Sequence, residues 1–237
     1  MKVEYNNLFP IFKGLLSLFY PRLCVACGET LHEKEQFFCL ACFQNLPETN
    51  FHLFDDNPLV YRFMGRVHIV AVASLLFYKK GNMTQNILYH LKYKGNNELG
   101  RFLGQYYGKK LIEKDVYRKI DMIIPVPLHK KKLKKRGYNQ SEYIAMGLSE
   151  AMGIPYNTTA LVRESFTETQ TKKSRIDRWE NVKNVFQVVD ENSIKGKHIL
   201  ICDDVLTTGA TMEAAIKQLL EVENTMVSVV TIGTTHG

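Results

Sequence analysis

Two adjacent carboxylates, Asp203 and Asp204, stand at the end of an apolar run and directly before a small, hydroxyl-rich turn at residues 207–211 (ILICDDVLTTGAT). The backbone N–H groups of such a turn, its hydroxyls and the start of the following helix suit a phosphate group. Carboxylates are poor phosphate ligands, but they accept hydrogen bonds from sugar hydroxyls. The pattern therefore indicates a site for a sugar 5-phosphate. The alternative is a tight turn with capping acidic residues and no ligand.

A second cluster consists of two CxxC pairs separated by eleven residues: Cys24, Cys27, Cys39 and Cys42. Four thiolates can surround one Zn²⁺ tetrahedrally and leave no open position for a substrate, which predicts a structural zinc site. Two disulfides and an iron–sulfur cluster are the alternatives. The sequence shows no export signal, so we expect a reducing cytoplasm, where paired CxxC motifs indicate metal before disulfide. Cys202 lies inside an apolar run and is expected to be a buried small residue.

The elements that must position these groups alternate between strand and helix from residue 67 onward. Strands are predicted at IVAVASLLFY, DMIIPVP, HILIC and TMVSVVTIG. Helices are predicted at NMTQNILYHLKY with Asn82 as N-cap, at ELGRFLGQYYGKKLI loosened by its glycines, at SEYIAMGLSEAM opened by Ser141, and at TMEAAIKQLLE. This alternation predicts an α/β fold, a mostly parallel sheet with helices on both faces. Ligands bind at the carboxyl edge of such sheets, where Asp203 and Asp204 would lie.

The chain is expected to divide near residue 50, because the stretch PETNFHLFDDNP reads as a polar linker bounded by prolines. We predict an N-terminal segment, residues 1–50, with an amphipathic helix and the cysteine cluster, followed by a domain at residues 51–237. The apolar piece LFPIFKGLLSLFYP is too short and too interrupted to span a membrane. Docking on its own domain is the simplest interpretation of this piece, and docking on a membrane surface or a partner is the alternative.

Residues 163–184 are polar and show no clear period, between the short apolar pieces ALV and VFQVV. The pattern predicts two strands joined by a long loop. A loop of this length in a compact domain is usually functional, so we interpret it as a lid that would bring cations to a leaving group. A disordered insertion without a function is the alternative.

The motifs also resemble known proteins. ILICDDVLTTGAT resembles the phosphoribosyl-pyrophosphate (PRPP) binding motif of type I phosphoribosyltransferases. The segments LKYKG, PVPL and RGYNQ, the spacing of Gln170, Arg178 and Asn181, and the four-cysteine ribbon are all similar to the ComF family, so the resemblance covers nearly the whole chain. The family is named for a role in natural competence, the uptake of DNA.

This resemblance implies a type I phosphoribosyltransferase-like fold, a structural zinc, and Mg²⁺ that arrives with PRPP. Asp203 and Asp204 would hold the ribose hydroxyls. The remaining ligand-binding residues that it implies are Val205, Thr207, Thr208, Gly209, Ala210, Thr211, Pro125, Val126, Pro127 and Lys94. Arg136, Gln170 and Arg178 would join the acidic pair in catalysis. The chain departs from the family pattern at Lys173, where an apolar residue is usual, so the docking face of the lid is expected to differ.

A basic bias accompanies these motifs. The net charge is +7, and residues 130–136 hold six cations in seven positions. A solvated surface, a nucleic-acid backbone contact and a substrate role are all compatible with this run. Two hypotheses follow: a cytoplasmic phosphoribosyltransferase, or an accessory protein of DNA uptake that binds PRPP or single-stranded DNA without turnover. A scaffold that docks a DNA-translocating ATPase through the ribbon is a third. Nothing in the sequence predicts a membrane span.

Overall fold

The computed structural model describes residues 21–163 and 185–235. It separates into two compact units, with the division between Leu46 and Pro47, and each unit is described by itself. The amphipathic helix predicted before residue 21 lies outside the described residues. The same is true of the predicted lid residues Gln170, Lys173 and Arg178.

In its described residues, 21–46, the first unit is a small cysteine-containing turn followed by one short helix. Leu23 and Thr30 form an antiparallel bridge, and the turn between them carries the first CxxC pair. Gly28 closes this turn at a φ of 83°, in the left-handed region where glycine is favoured. Helix α1 (Leu40–Gln44) begins immediately after Cys39 and carries Cys42. Two separate local structures therefore present the two cysteine pairs.

The second unit is built on a four-stranded sheet. Its strands are β1 (Val72–Tyr78), β2 (Met122–Pro125), β5 (His198–Leu206) and β6 (Met226–Thr235), and every neighbouring pair in the order β1-β6-β5-β2 is parallel. A separate antiparallel pair consists of β3 (Leu161–Arg163) and β4 (Phe186–Val188), on either side of the predicted lid. The predictions of a parallel sheet and of two strands flanking the loop are confirmed.

Six helices of the described chain accompany this sheet. They are α2 (Met83–Tyr93), α3 (Asn97–Leu111), α4 (Asp115–Arg118), α5 (Lys130–Arg136), α6 (Gln140–Met152) and α7 (Ala210–Leu220). Two short 3-10 turns, Phe51–Leu53 and Val60–Arg62, precede β1. Within the described ranges, no helix combines the length and the apolar character that crossing a membrane would need.

The helices cover both faces of the sheet, as the alternation predicted. On one face, Ile199 and Ile201 of β5 pack in a buried cluster with Ile216 of α7. The intervening side chains of β5 point the other way, because successive residues of a strand face opposite sides. On that second face the Cys202 thiol lies 3.6 Å from the carbonyl oxygen of Ser141 in α6. Cys202 is fully buried, in agreement with the prediction of a small core residue.

Glycines set the distance between α3 and α6. A methyl group built at Gly147 would overlap the carbonyl oxygen of Arg101, and one built at Gly104 would overlap the carbonyl oxygen of Ile144. The sequence suggested that glycines loosen α3. That interpretation was wrong, because Gly104 and Gly147 lie where the two helix backbones touch, and the missing side chains permit the contact.

We expect Gly147→Ala to lower the free energy of unfolding by about 1–3 kcal/mol, because the added methyl group must force the helices apart. Helix propensity alone predicts the opposite sign, a gain of about 1 kcal/mol. Urea denaturation of the variant gives the value. Ser149→Ala, on the same helix at a half-buried position, is the matched control and should change little. A variant more stable than the wild type would contradict the close-packing explanation.

The start of α2 agrees with the sequence-based expectation, and the start of α6 differs from it. Asn82 caps α2 as predicted, since its side chain accepts a hydrogen bond from the N–H of Gln85. The cap of α6 is Asn139 rather than Ser141, because the Asn139 side chain accepts from the N–H of Ser141. The hydroxyl of Ser141 is therefore available for another partner. The basic run was predicted without a secondary structure and forms α5, with Gly137 as its left-handed C-cap.

Candidate functional site

The acidic pair lies at the carboxyl end of β5, where its two carboxylates are held by different partners. Ser141 Oγ donates a hydrogen bond to Asp203 Oδ1 over 2.7 Å. The Asp204 N–H donates to the same oxygen over 2.8 Å. Lys92 Nζ lies 3.2 Å from Asp204 Oδ1. Asp203 is thus held through Oδ1 by α6, and Asp204 is held through Oδ1 by the last turn of α2.

The remaining oxygen of Asp204 is unusual. Asp204 is 3% exposed, and its Oδ2 is buried with no hydrogen-bond partner among the residues described. Buried polar atoms are nearly always paired, because an unpaired one costs about 1–3 kcal/mol. An unpaired carboxylate oxygen in a residue that lines a cleft is an acceptor that a ligand hydroxyl could satisfy.

The surroundings of Asp203 also change its acidity. Burial, together with the neighbouring charge of Asp204, raises the pKa of Asp203 to about 7. The hydrogen bonds from Ser141 and from the Asp204 N–H, and the charge of Lys92, oppose this rise without cancelling it. The site therefore holds one carboxyl group, that of Asp203, which resists ionisation because it is buried beside a second acidic residue.

A pH dependence of stability follows from this raised pKa. The folded state holds the Asp203 proton more tightly than the unfolded chain, where the ordinary value is 3.8. The stabilising contribution of the neutral form is full below about pH 4 and is lost as pH rises to about 7. We expect the stability of Asp203→Asn relative to the wild type to increase between pH 5 and pH 8. Denaturant titrations at both values measure it, with the exposed Asp115→Asn as control. A stability difference between the variant and the wild type that is the same at pH 5 and at pH 8 would contradict the raised pKa of Asp203.

The phosphate-type turn follows directly. Gly209 adopts a φ of 83° and is the N-cap of α7, so the turn passes into a helix whose N-terminus carries positive potential. Thr207 and Thr208 are exposed. The N–H of Ala210 donates to Thr208 Oγ1 over 3.4 Å. Exposed hydroxyls, a glycine and a helix start thus stand together, as the sequence predicted.

These groups border one cleft of about 260 Å³. From the predicted site, the residues that line it are Asp203, Asp204, Val205, Thr207, Thr208, Gly209, Ala210, Thr211, Val126, Pro127 and Arg136. Pro125 and Lys94 are not brought to its wall. Pro125 pairs with Cys202 inside the sheet, and Lys94 Nζ lies 5.9 Å above the ring of Tyr89. The structure brings Lys92 to the acidic pair instead.

The sequence missed several groups that border the cleft. Ser141 was assigned to a helix cap, and its contact with Asp203 depends on how α6 packs beside β5. Lys132 of α5 and Arg163 of β3 also line the cleft, and Arg163 stacks over Phe186 at 5.2 Å. A signal for Lys132 was present, because it lies four residues before Arg136 and therefore on the same side of a helix. No local signal singles out Arg163.

The remaining cations of α5 face outward. Every residue of the helix except Arg136 is exposed, and Arg136 lies 5.6 Å from the ring of Tyr93 and hydrogen-bonds to Gln140. Tyr93 is itself 63% exposed. The helix therefore has one edge at the cleft and a broad basic side toward solvent.

The four cysteines form a site of their own in the first unit. One sulfur atom from each lies within 4.8 Å of the others, and the Sγ atoms of Cys27 and Cys39 are 3.8 Å apart. A tetrahedron with metal–sulfur bonds of about 2.3 Å requires sulfurs about 3.8 Å apart, so the donor set fits a zinc ion. The N–H of Cys39 donates to the Cys24 sulfur over 3.4 Å.

The ionisation of these thiols supports a bound cation. Burial opposes ionisation of Cys24, but backbone N–H groups outweigh it and lower its pKa to about 7. For Cys42, burial and the neighbouring thiols raise the pKa well above the ordinary value of a thiol. Cys42 in particular would need a positive charge nearby to become a thiolate at neutral pH, which a bound metal ion would supply.

The sequence of the chain is similar to those of several known proteins. Residues 139–235 match the phosphoribosyl transferase domain family. The chain is 40% identical over 100 residues to the DNA utilization protein YhgH of Escherichia coli O157:H7, which covers 42% of this chain and 43% of that protein. It is 26% identical over 201 residues to the competence protein ComFC of Bacillus subtilis, over 84% of this chain and 78% of that protein.

Two further matches extend the comparison. The competence protein F of Haemophilus influenzae is 37% identical over 100 residues, which is 42% of this chain and 44% of that protein. The matched region thus spans less than half the length of this relative and of the E. coli protein. Among solved structures, the glutamine PRPP amidotransferase of B. subtilis is 21% identical, with a TM-score of 0.43, over 60% of this chain and 30% of that chain. The match to the phosphoribosyl transferase domain family and the similarity to the competence and DNA utilization proteins confirm the predicted resemblance and the phosphoribosyltransferase-like fold.

Proposed function

We propose that this chain, which belongs to the ComF family, is a PRPP-binding protein of the phosphoribosyltransferase type that serves natural competence. The observation that carries the proposal is the buried, unpaired Oδ2 of Asp204, beside a hydroxyl-rich turn and in a residue that lines the cleft. A sugar hydroxyl would satisfy this oxygen while the turn receives a 5-phosphate. The role in competence is supported by the names of the relatives.

The residues of the cleft suit the parts of PRPP. Asp203 and Asp204 would accept hydrogen bonds from the ribose hydroxyls, and residues 207–211 would hold the 5-phosphate. The cations Lys92, Lys132 and Arg136 line the same cleft and would balance the pyrophosphate. Mg²⁺ would arrive as part of the substrate, bound to oxygens of PRPP, and would reduce the charge that the leaving group develops.

The transfer itself would need protection from water. Loss of pyrophosphate generates positive charge on the ribose, which water would intercept in an open cleft. We propose that the segment between β3 and β4 supplies this protection, with Gln170 and Arg178 reaching the ligand. An amine or a nucleobase would accept the ribosyl group at the carbon that pyrophosphate leaves.

Titration calorimetry with PRPP, with and without Mg²⁺, tests the binding. We expect binding that depends on Mg²⁺, and a screen of amines and nucleobases for pyrophosphate release then tests turnover. Binding without pyrophosphate release would leave an accessory, non-catalytic role. Absence of any Mg²⁺-dependent binding to PRPP would overturn the proposal.

A second candidate function is binding of single-stranded DNA, which the basic, solvent-facing side of α5 favours. Tyr89 and Tyr93 of α2 are half or more exposed, with ring centroids 5.4 Å apart, and aromatic faces beside cations suit unstacked bases. Neutralising Lys130, Lys131, Lys134 and Lys135 should weaken binding to an oligonucleotide and reduce its salt dependence. Binding that these changes leave intact would exclude this surface.

The cysteine unit and the cellular setting complete the proposal. We propose that Cys24, Cys27, Cys39 and Cys42 hold a structural Zn²⁺, on the fit of their sulfurs to a tetrahedron. We place the protein in the cytoplasm, where these thiols stay reduced. A partner such as a DNA-translocating ATPase, docked on this ribbon, stays a prediction, and pull-down with the purified ATPase would test it.

A further inference from the structure

One arginine outside the cleft binds the backbone that leads into the phosphate-type turn. Arg62, at the end of the 3-10 turn before β1, donates through Nη1 to the carbonyl oxygen of Leu206 over 3.1 Å and also to that of Thr207. Its Nη2 donates to the carbonyl oxygen of Thr235 over 2.6 Å. The hydroxyl of Thr234 accepts from Nη1 over 3.2 Å. A single guanidinium therefore ties together the ends of β5 and β6.

The two carbonyls of residues 206 and 207 decide how the turn begins. In a trans peptide the C=O of one residue and the N–H of the next point in opposite directions. Holding both carbonyl oxygens against Arg62 therefore directs the N–H groups of Thr207 and Thr208 to the other side. The same contacts keep two partially negative oxygens away from an incoming anion.

The charge of Arg62 adds to this effect. No carboxylate lies within ion-pair distance of Arg62 in the described part of the chain. The guanidinium therefore donates its hydrogen bonds to backbone carbonyl oxygens and threonine hydroxyls. Burial lowers its pKa below the ordinary value of an arginine, although an arginine stays protonated under all physiological conditions. Arg62 does not line the cleft, so it would act on a ligand through the turn and not by contact.

We propose that Arg62 is a positioning residue for the 5-phosphate of the ligand: it fixes the backbone of residues 206–208 so that the turn presents its N–H groups. This role rests on the proposed function, since it concerns the same site. It also assigns a task to residues 59–66, which lie between the predicted linker PETNFHLFDDNP and the first predicted strand and for which the sequence predicted no element. Holding several carbonyl oxygens at once requires the parallel N–H donors of a planar guanidinium, which the ammonium group of lysine lacks.

The test compares Arg62→Met and Arg62→Lys with Arg66→Met. Arg66 is the matched control, four residues along, half exposed and 3.6 Å from Glu213. Calorimetry uses two probes, ribose 5-phosphate and pyrophosphate. We expect Arg62→Met to weaken ribose 5-phosphate binding at least tenfold and to leave pyrophosphate affinity within twofold. Methylguanidinium should restore part of the loss, and Arg66→Met should bind both probes normally.

The outcomes separate the possibilities. If Arg62→Met lowered the affinity for both probes equally, or left the affinity for ribose 5-phosphate unaltered, the role of Arg62 would be overturned. The proposed function would still stand. A wild-type protein that binds neither ribose 5-phosphate nor PRPP would remove the proposed function, and this role with it. If Arg62→Met does not fold, Arg62→Lys keeps the charge without the fork. It should still weaken ribose 5-phosphate binding and speed amide hydrogen exchange at residues 207–211, and normal values of both would refute the proposal.

Discussion

Replacing Asp203 and Asp204 together by asparagine should weaken PRPP binding by at least a hundredfold, the largest effect that we expect from any change in the cleft. Each carboxylate would accept a hydrogen bond from a ribose hydroxyl, and such charge-assisted bonds contribute about 1.5–3 kcal/mol each. Two of them correspond to roughly 10²–10⁴ in affinity. Calorimetric titration with PRPP and Mg²⁺ measures the loss.

The double change also has two opposing effects on stability. It removes the carboxyl group of Asp203, whose pKa is raised by burial and by the charge of Asp204, and it leaves Lys92 without its ion-pair partner. Thermal melting of the variant reports the sum of these effects. Asp115→Asn, at an exposed carboxylate of α4, is the control and should bind PRPP normally. A double variant that melts like the wild type and still binds PRPP tightly would show that the ligand does not depend on the acidic pair.

The second large effect concerns the cysteine unit. Changing Cys24 to serine should remove about one equivalent of zinc per chain and unfold residues 21–46, because a segment of this size has too small an apolar core to fold without its metal. Elemental analysis reports the zinc. Limited proteolysis reports the unfolding, with new cleavage expected inside this segment.

The fifth cysteine supplies the control for this experiment. Cys202→Ala changes a thiol that is buried in the sheet and distant in sequence from the cluster, so it should retain a full equivalent of metal. A wild-type protein with no zinc and four freely reactive thiols would contradict the metal site. Retained PRPP binding in Cys24→Ser would show that the two units have separable tasks.

Much of this architecture follows from local sequence signals. The apolar run before Asp203 predicted β5, because a buried parallel strand needs apolar side chains on both faces. Asn82 predicted the start of α2, and the small residues 207–211 predicted a turn that leads into α7. The cysteine spacing predicted one four-sulfur cluster. These features depend on a few neighbouring residues, so the chain itself displays them.

Other features depend on contacts that sequence patterns do not encode. Ser141 is an ordinary helix-start residue until α6 packs beside β5 and brings its hydroxyl to Asp203. Lys92 and Lys94 are indistinguishable in sequence, and only the rotation of α2 sends one toward Asp204 and the other over Tyr89. The role of Gly147 similarly appears only when α3 lies against it. Helix rotation and helix spacing are tertiary quantities, so the sequence alone does not reveal these contacts.

The way in which the acidic pair is held also bears on sugar selectivity. Ser141 and Lys92 each occupy one oxygen, so each carboxylate keeps a single oxygen for the ligand. Two acceptors on neighbouring residues match two neighbouring hydroxyls. A 2-deoxyribose would leave one of these acceptors unmatched, at a cost of about 1–3 kcal/mol. The cleft would thereby distinguish ribonucleotide precursors from deoxyribose compounds through hydrogen bonding at these two carboxylates.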